Sequence, residues 1–322
     1  MINIPDGLDY ESYVDLLGSL EAQDLKSSSH WRAELLEYNN TDAQLHGETM
    51  PFLKSHELFR YRPSEMTLVT GYNGSKKSMV LGQIMLHLAQ TSKICICSLE
   101  MQPTVTLHRM LMQAAGAQEG RPSDEFVNRF MDWADGRIYI FDALDSLPPE
   151  RIIGFIHFAA KELGCNHIVL DSLSKVALKY DDYNQQNEFI NKMQYIVKRN
   201  NAHLHIVTHV KKPPNDDESI APSRYSIRGA GSLSDMADNV IIIQPNRKRE
   251  ALKEISKLRE LDEKQMEYLG KSYDHAVIIA KQRHGSWEGN LNFYFHSNSL
   301  QLTEREDYPH KFSFDTSVDT DN

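Results

Sequence analysis

The sequence predicts an α/β fold: a mostly parallel, twisted sheet flanked by helices, with antiparallel strands added near the C-terminal end. Three observations predict it. Short apolar β-like runs alternate with longer segments of helical periodicity from Met66 onward, the pattern of βαβ units with helices on both sheet faces. The first run, MTLVT, leads directly into a Gly/Ser-rich turn and then a helix-like segment. The last two runs, AVIIAKQR and NLNFYF, are joined only by HGSWEG and so form an antiparallel edge.

The elements follow in order. Residues 1–50 carry a helical pattern near Tyr10–Leu20, a second at Trp31–Tyr38, and Asn/Thr/Asp-rich sequence after it. With too few apolar residues for a core of its own, this segment is expected to be an arm that packs on something else. Strand MTLVT, helix MVLGQIMLHLAQ and strand KICICSLE open the main domain, residues 51–303. Helices at Pro103–Ala115 and Ser123–Ala134 precede a strand at Arg137–Phe141. Two prolines suit the first turn of a helix running to Leu163. HIVLD is a buried strand ending in Asp171, and a helix from about Asn184 to Asn200 precedes HLHIVTH. The Pro-rich stretch 211–227 is predicted to be a long surface loop, followed by the buried strand NVIIIQ. Residues 247–270, densely charged with apolar residues at helical spacing, are expected to form a solvated helix with i,i+4 pairs. The acidic stretch 304–322 is expected to be disordered.

The bulk numbers exclude few functions. The 322 residues are 40% apolar and 25% charged, and no apolar run approaches a membrane span. MINIPDGLDYESYVDLLG lacks the basic-then-apolar pattern of a secretion signal. Cys95 and Cys97 alternate along a strand and Cys165 lies beside another, which is neither zinc-ligand spacing nor a disulfide framework. A reducing, intracellular compartment is therefore expected. The net charge of −10 argues against a surface coated in cations, but a local line of Lys and Arg is enough to follow a phosphate backbone.

Chemistry starts at Gly71-Tyr-Asn-Gly-Ser-Lys-Lys-Ser78. A phosphate-binding loop reads G-x-x-x-x-G-K-[S/T] between a strand and a helix: its N–H groups wrap phosphates, its lysine meets the outer phosphates, its hydroxyl ligates magnesium. Gly71, Lys77 and Ser78 fit, Asn73, Gly74 and Ser75 complete the turn, and Lys76 stands in place of the second glycine. Glu100 follows the second strand, 23 residues beyond Lys77, where a carboxylate either polarises water or caps the next helix. Asp171 ends the HIVLD strand, a position from which an acid holds magnesium. His209 ends a third strand, where such folds bind ligands.

Taken together, the Gly71–Ser78 turn, SLEM, IVLDSLS, VTHVKKP, RGAGSLSDMADNVIII and KQRHGSWEGNLNFYF resemble the helicase domain of the DnaB-type hexameric replicative helicases, a RecA-like fold. Within that family the resemblance is to the branch of phage primase–helicases and Twinkle, over roughly residues 50–302. The resemblance implies that Lys77 and Ser78 bind nucleotide phosphate and magnesium, with ATP or a dNTP and Mg²⁺ as cofactors. It implies that Glu100 is the catalytic base, that Asp171 coordinates magnesium through water, and that His209 couples the γ-phosphate to DNA loops. Lys281 and Arg283 would reach into a neighbouring subunit's site. DNA loops would lie near 174–185 and 211–231, with Lys211, Lys212, Arg224 and Arg228 as phosphate contacts. The implied partners are single-stranded DNA and further copies in a ring of six, with primase, polymerase or a single-strand-binding protein as further candidates. The implied setting is the cytoplasm of a bacterium or a phage-infected cell.

Two departures qualify this. Lys76 either blocks nucleotide and slows hydrolysis, through a Cβ where glycine is usual, or adds a cation beside the phosphates. No primase is expected in this chain. Two rival readings stand beside the helicase: a RecA-like recombinase or loader, and a degenerate phosphate-loop protein that binds DNA or a helicase without turnover.

Overall fold

The computed structural model describes residues 26–40, 46–116, 120–143, 146–178, 182–213, 217–228, 232–310, 312 and 314. The helix expected at Tyr10–Leu20 lies outside them. Helix α1 (Arg32–Asn40) precedes the core and buries none of its residues. From there the alternation runs as read: β1 (Met66–Thr70), α2 (Lys77–Leu88), β2 (Ile94–Ser98), α3 (Pro103–Ala115), α4 (Asp124–Ala134), β3 (Ile138–Phe141), α5 (Pro149–Lys161), β4 (His167–Asp171), α6 (Tyr183–Arg199) and β5 (His203–Val207). Then come α7 (Ser232–Met236), β6 (Asn239–Pro245), α8 (Arg247–Ser256), α9 (Glu263–Lys271), β7 (His275–Gln282), β8 (Gly289–His296) and β9 (Gln301–Thr303).

The strands form one nine-stranded sheet in the order β3-β2-β4-β5-β1-β6-β7-β8-β9. Pairings from β3 to β6 are parallel, and those from β6 to β9 are antiparallel. Strands β1, β2, β4, β5 and β6 are buried along their whole length, so alternate residues feed two separate cores. On β6, Val240 and Ile242 face α5, α6 and α7, whereas Ile241 and Ile243 face α2, α3 and α4.

Two expectations change. The charged segment after β6 is two short helices, not one, because Asp262 starts α9 with a reciprocal capping box to Gln265. Arg249 in the first turn of α8 is 1% exposed, inside the fold rather than solvated, and its guanidinium meets Asp274 at 3.0 Å, Glu306, and the Leu269 carbonyl. Beyond residue 304, residues 305–308 are exposed, and the chain touches the fold again at His310, Phe312 and Phe314. Gln301 exchanges two hydrogen bonds with the His310 backbone, and Phe312 and Phe314 join Trp133, with ring centroids 5.1 and 5.6 Å away. These contacts tie the described end of the acidic stretch to the fold.

The polar floor of the sheet is a histidine cluster. His167, His203 and His205 sit on adjacent strands beneath Tyr61. His203 is bonded to Thr67 Oγ1 at 2.8 Å and to the Arg62 carbonyl at 2.6 Å, and His167 to Glu48 and to His205 at 3.1 Å. Burial pushes His203 down to about 3, so it stays neutral in the native state while the unfolded chain takes up a proton as pH falls through about 6.5. The unfolded state then binds more protons, so stability falls with acid. Going from pH 7 to pH 5 is expected to remove about 2 kcal/mol through His203 alone. In urea unfolding, His203→Gln should show a correspondingly shallower pH dependence; an unchanged slope would contradict this.

Candidate functional site

Parallel pairing brings the ends of β1, β2, β4 and β5 to one edge, and the residues singled out from the sequence meet there. After β1 the chain reverses tightly. Gly71 has φ +150°, and a Cβ on it would come within 2.4 Å of the Ile243 carbonyl, so only glycine fits. Lys77, 7% exposed, folds its ammonium onto the carbonyls of Gly71 and Tyr72 at 3.0 Å each. Those carbonyls hold the cation inside the turn, where burial lowers its pKa while Asp171 and Glu100 raise it.

Lys76 takes the left-handed conformation, φ 65° and ψ 25°, as the N-cap of α2. That is the backbone reason for glycine at this position, and a side chain there costs about 1 kcal/mol. Its ammonium lies 4.7 Å from the centre of the Phe295 ring, a cation–π contact that offsets part of the strain. Lys76, Pro245, His275, Phe295 and Ser297 line a cleft of about 370 Å³. The lysine is thus turned into this cleft, and the cation inside the turn is Lys77.

At the end of β4, the Ser78 side chain is hydrogen-bonded to Asp171. Burial raises the Asp171 carboxyl to about 6; the Ser78 bond opposes that, Glu100 adds to it, and Lys77 and Arg109 pull it down. A hydroxyl and one carboxylate suit magnesium, which keeps most of its water and takes few protein ligands. Glu100 accepts a 2.7 Å bond from Ser172 Oγ, which also meets Ser174 Oγ at 2.6 Å. It does not cap α3, whose N-cap is Gln102. His209 Nε2 is 3.6 Å from Glu100 Oε1, and burial, with Lys77 next, lowers the histidine's pKa.

The remaining candidates lie farther out. Val210 bridges Ile227, and the backbones of Lys211 and Arg228 bond to Ser226 and His209 at 2.8 Å each, closing the base of a hairpin. Lys211 and Lys212 are exposed on its first leg. Arg224 on the other leg is held by the Ala280 carbonyl at 3.4 Å and Tyr225 Oη at 3.0 Å, with Glu288 at 3.8 Å. Residues 179–181, 214–216 and 229–231 of the expected DNA loops lie outside the described residues. Lys281 gives its ammonium to the carbonyls of Ser234, Asp235 and Ala237 at 2.9, 3.0 and 2.7 Å. Arg283 pairs with Asp238 at 2.8 Å. In this single chain both are tied to α7 and the start of β6. Sequence reasoning missed Ser172, Ser174 and Arg109; the DSLS run was a signal for the serines, whereas Arg109 carried none without the fold.

A model of the DnaB-like helicase C terminal domain matches residues 57–304. The chain belongs to the DnaB-like helicase C-terminal domain family. The DNA helicase/primase of Enterobacteria phage T3 is 24% identical over 204 residues, 58% of this chain and 36% of that protein. The chloroplastic/mitochondrial Twinkle homolog protein of Arabidopsis thaliana is 24% identical over 231 residues, 66% of this chain and 32% of that protein. The chain therefore spans about a third of the curated relatives it matches. Among solved structures, a DnaB-like replicative helicase, studied with its interactions with primase, superposes with a TM-score of 0.67 at 15% identity, over 91% of this chain and 70% of that one. A solved ATPase domain gives 0.68 at 16% identity, over 87% of this chain and 100% of that one. The fold is that of these DnaB-like domains. Among the described residues no helix is long and apolar enough to cross a membrane.

Asp171 yields a stability test of this edge. Its folded pKa lies above the unfolded value of about 3.9, so the native state favours the neutral form. The stability it contributes is full below about pH 4 and is lost as pH rises through 6. At pH 7, Asp171→Asn is expected to raise the unfolding free energy by about 1–3 kcal/mol in urea titration. A destabilised variant would contradict the account.

Proposed function

We propose that this DnaB-like domain is an NTP-driven DNA helicase motor. It binds ATP or a dNTP with Mg²⁺, translocates on single-stranded DNA and unwinds duplex, working as a ring of about six copies. One observation carries the reading: Lys77, Ser78, Asp171, Glu100 and His209 converge at the ends of four strands, β1, β2, β4 and β5, whose pairing sets their spacing.

Nucleotide phosphates would displace the Gly71 and Tyr72 carbonyls from Lys77, whose ammonium already sits inside the turn. Ser78 and Asp171 would hold the magnesium ion, which when bound neutralises phosphate charge. Glu100, oriented by Ser172, accepts hydrogen bonds from a water and turns it toward the terminal phosphate. His209 stands between Glu100 and the hairpin that carries Lys211, Lys212, Arg224 and Arg228, so the state of the phosphate reaches the DNA contacts through it. Arg283 and Lys281 would serve a neighbouring copy's site after leaving α7. Exposed Leu35, Leu36 and Tyr38 on α1 supply apolar surface for packing against such a copy. Primase, polymerase and single-strand-binding protein are further partner candidates, and the cytoplasm is the proposed location.

Steady-state ATP hydrolysis with and without oligo(dT) tests this. Turnover stimulated by the oligonucleotide is expected, with Glu100→Gln lowering it by about 10²–10⁴-fold at retained nucleotide affinity. Wild-type turnover indifferent to DNA would point instead to another RecA-like ATPase. Nucleotide-free DNA binding without any turnover would favour the degenerate-loop reading that Lys76 raises.

A further inference from the structure

The hairpin rooted under His209 does not only project outward. Between its two legs the chain returns to the phosphate loop, and Asp217–Ile220 is fastened there by side chains from the loop, the end of β6 and the start of α8. Tyr72 Oη donates to the Ile220 carbonyl at 3.1 Å, and Gln244 Nε2 to the Glu218 carbonyl at 2.8 Å. Arg247 donates through Nε to Glu218 at 2.9 Å, through Nη1 to Glu250 at 2.9 Å, and through Nη2 to the Asn73 carbonyl at 3.0 Å. One guanidinium therefore joins the phosphate loop, the strip and α8. Lys211 and Lys212 lie on one side of the strip along the chain, Arg224 and Arg228 on the other.

We propose that Asp217–Ile220 is a strap transmitting occupancy of the phosphate loop to the cationic legs of the hairpin, with Arg247 and Tyr72 as its positioning residues. The inference rests on the nucleotide reading above. Its physical basis is competition for one cation. Arg247 divides its donors between two carboxylates and a loop carbonyl. A triphosphate brings concentrated negative charge to the turn whose Asn73 carbonyl Arg247 already touches. The guanidinium is drawn toward it, the Glu218 bond weakens, and the strap loosens. The legs then gain freedom to follow a phosphate backbone. The coupling is reciprocal: DNA that draws the legs away from the strap favours nucleotide.

Amide hydrogen exchange over peptides spanning 209–228 tests this on the full chain, with and without the magnesium complex of the non-hydrolysable analogue AMP-PNP. Three proteins are compared: the unmodified chain, Glu218→Gln, and Glu250→Gln, which touches Arg247 away from the strap. In the unmodified chain, AMP-PNP is expected to speed exchange about threefold or more, the size of losing one exposed ion pair. Glu218→Gln should exchange about threefold faster without nucleotide and lose the response, while its AMP-PNP affinity stays within about threefold. Glu250→Gln should keep the response. AMP-PNP binding with no change in exchange, or a Glu218→Gln response equal to that of the unmodified chain, overturns the strap alone. Absence of AMP-PNP binding by the folded, unmodified chain overturns the nucleotide reading beneath it.

Discussion

Parallel pairing of β2, β4, β5 and β1 is the constraint on which the rest depends. Parallel strands buried on both faces must start at one edge and end at the other, so four apolar runs release their chains within a few residues of one another. At or just beyond these releases stand the polar residues of the edge: Lys77 and Ser78, Glu100, Asp171 and His209. The two hydrophobic cores hold the four ends in register from above and below. Loosening either core would alter the spacing of all five side chains together.

The electrostatics of the edge follow from that confinement. Asp171 is almost fully buried next to a second carboxylate, Glu100, and its charge is disfavoured despite the opposing pull of Ser78, Lys77 and Arg109. Lys77 has the opposite problem and meets it by folding onto loop carbonyls. An acid pushed up and a lysine pushed down at one edge are the kind of perturbed pair that marks functional sites. Lys76 fits the same logic: its backbone takes the glycine conformation at a modest cost, and its charge goes to an aromatic face outside the turn.

Much of this was legible in sequence because it is local. A strand-turn-helix with glycine, lysine and serine at fixed spacing, and acids at strand ends, depend only on residues within a few positions of each other. The features that were not legible depend on residues far apart. Arg249 is buried because Asp274, Glu306 and the Leu269 carbonyl surround it, and nothing within its own helix predicts that. Phe312 and Phe314 meet the fold because Trp133, more than 150 residues earlier, offers a ring face. The resemblance sends Lys281 toward a neighbouring subunit, and within this chain the carbonyls of Ser234, Asp235 and Ala237 hold it, which only the fold shows. The direction of the Lys76 side chain likewise follows from where β8 places Phe295.

The central claim is that the turn from Gly71 to Ser78 is a working phosphate cradle with lysine at position 76. Calorimetric titration of the unmodified chain with ATP and Mg²⁺, alongside Lys76→Gly and Lys77→Ala, tests it most directly. The account predicts saturable binding to the unmodified chain and to Lys76→Gly with affinities within about tenfold, a difference of about 1.4 kcal/mol, and loss of binding in Lys77→Ala. Binding only by Lys76→Gly, or equal binding by all three, would contradict it.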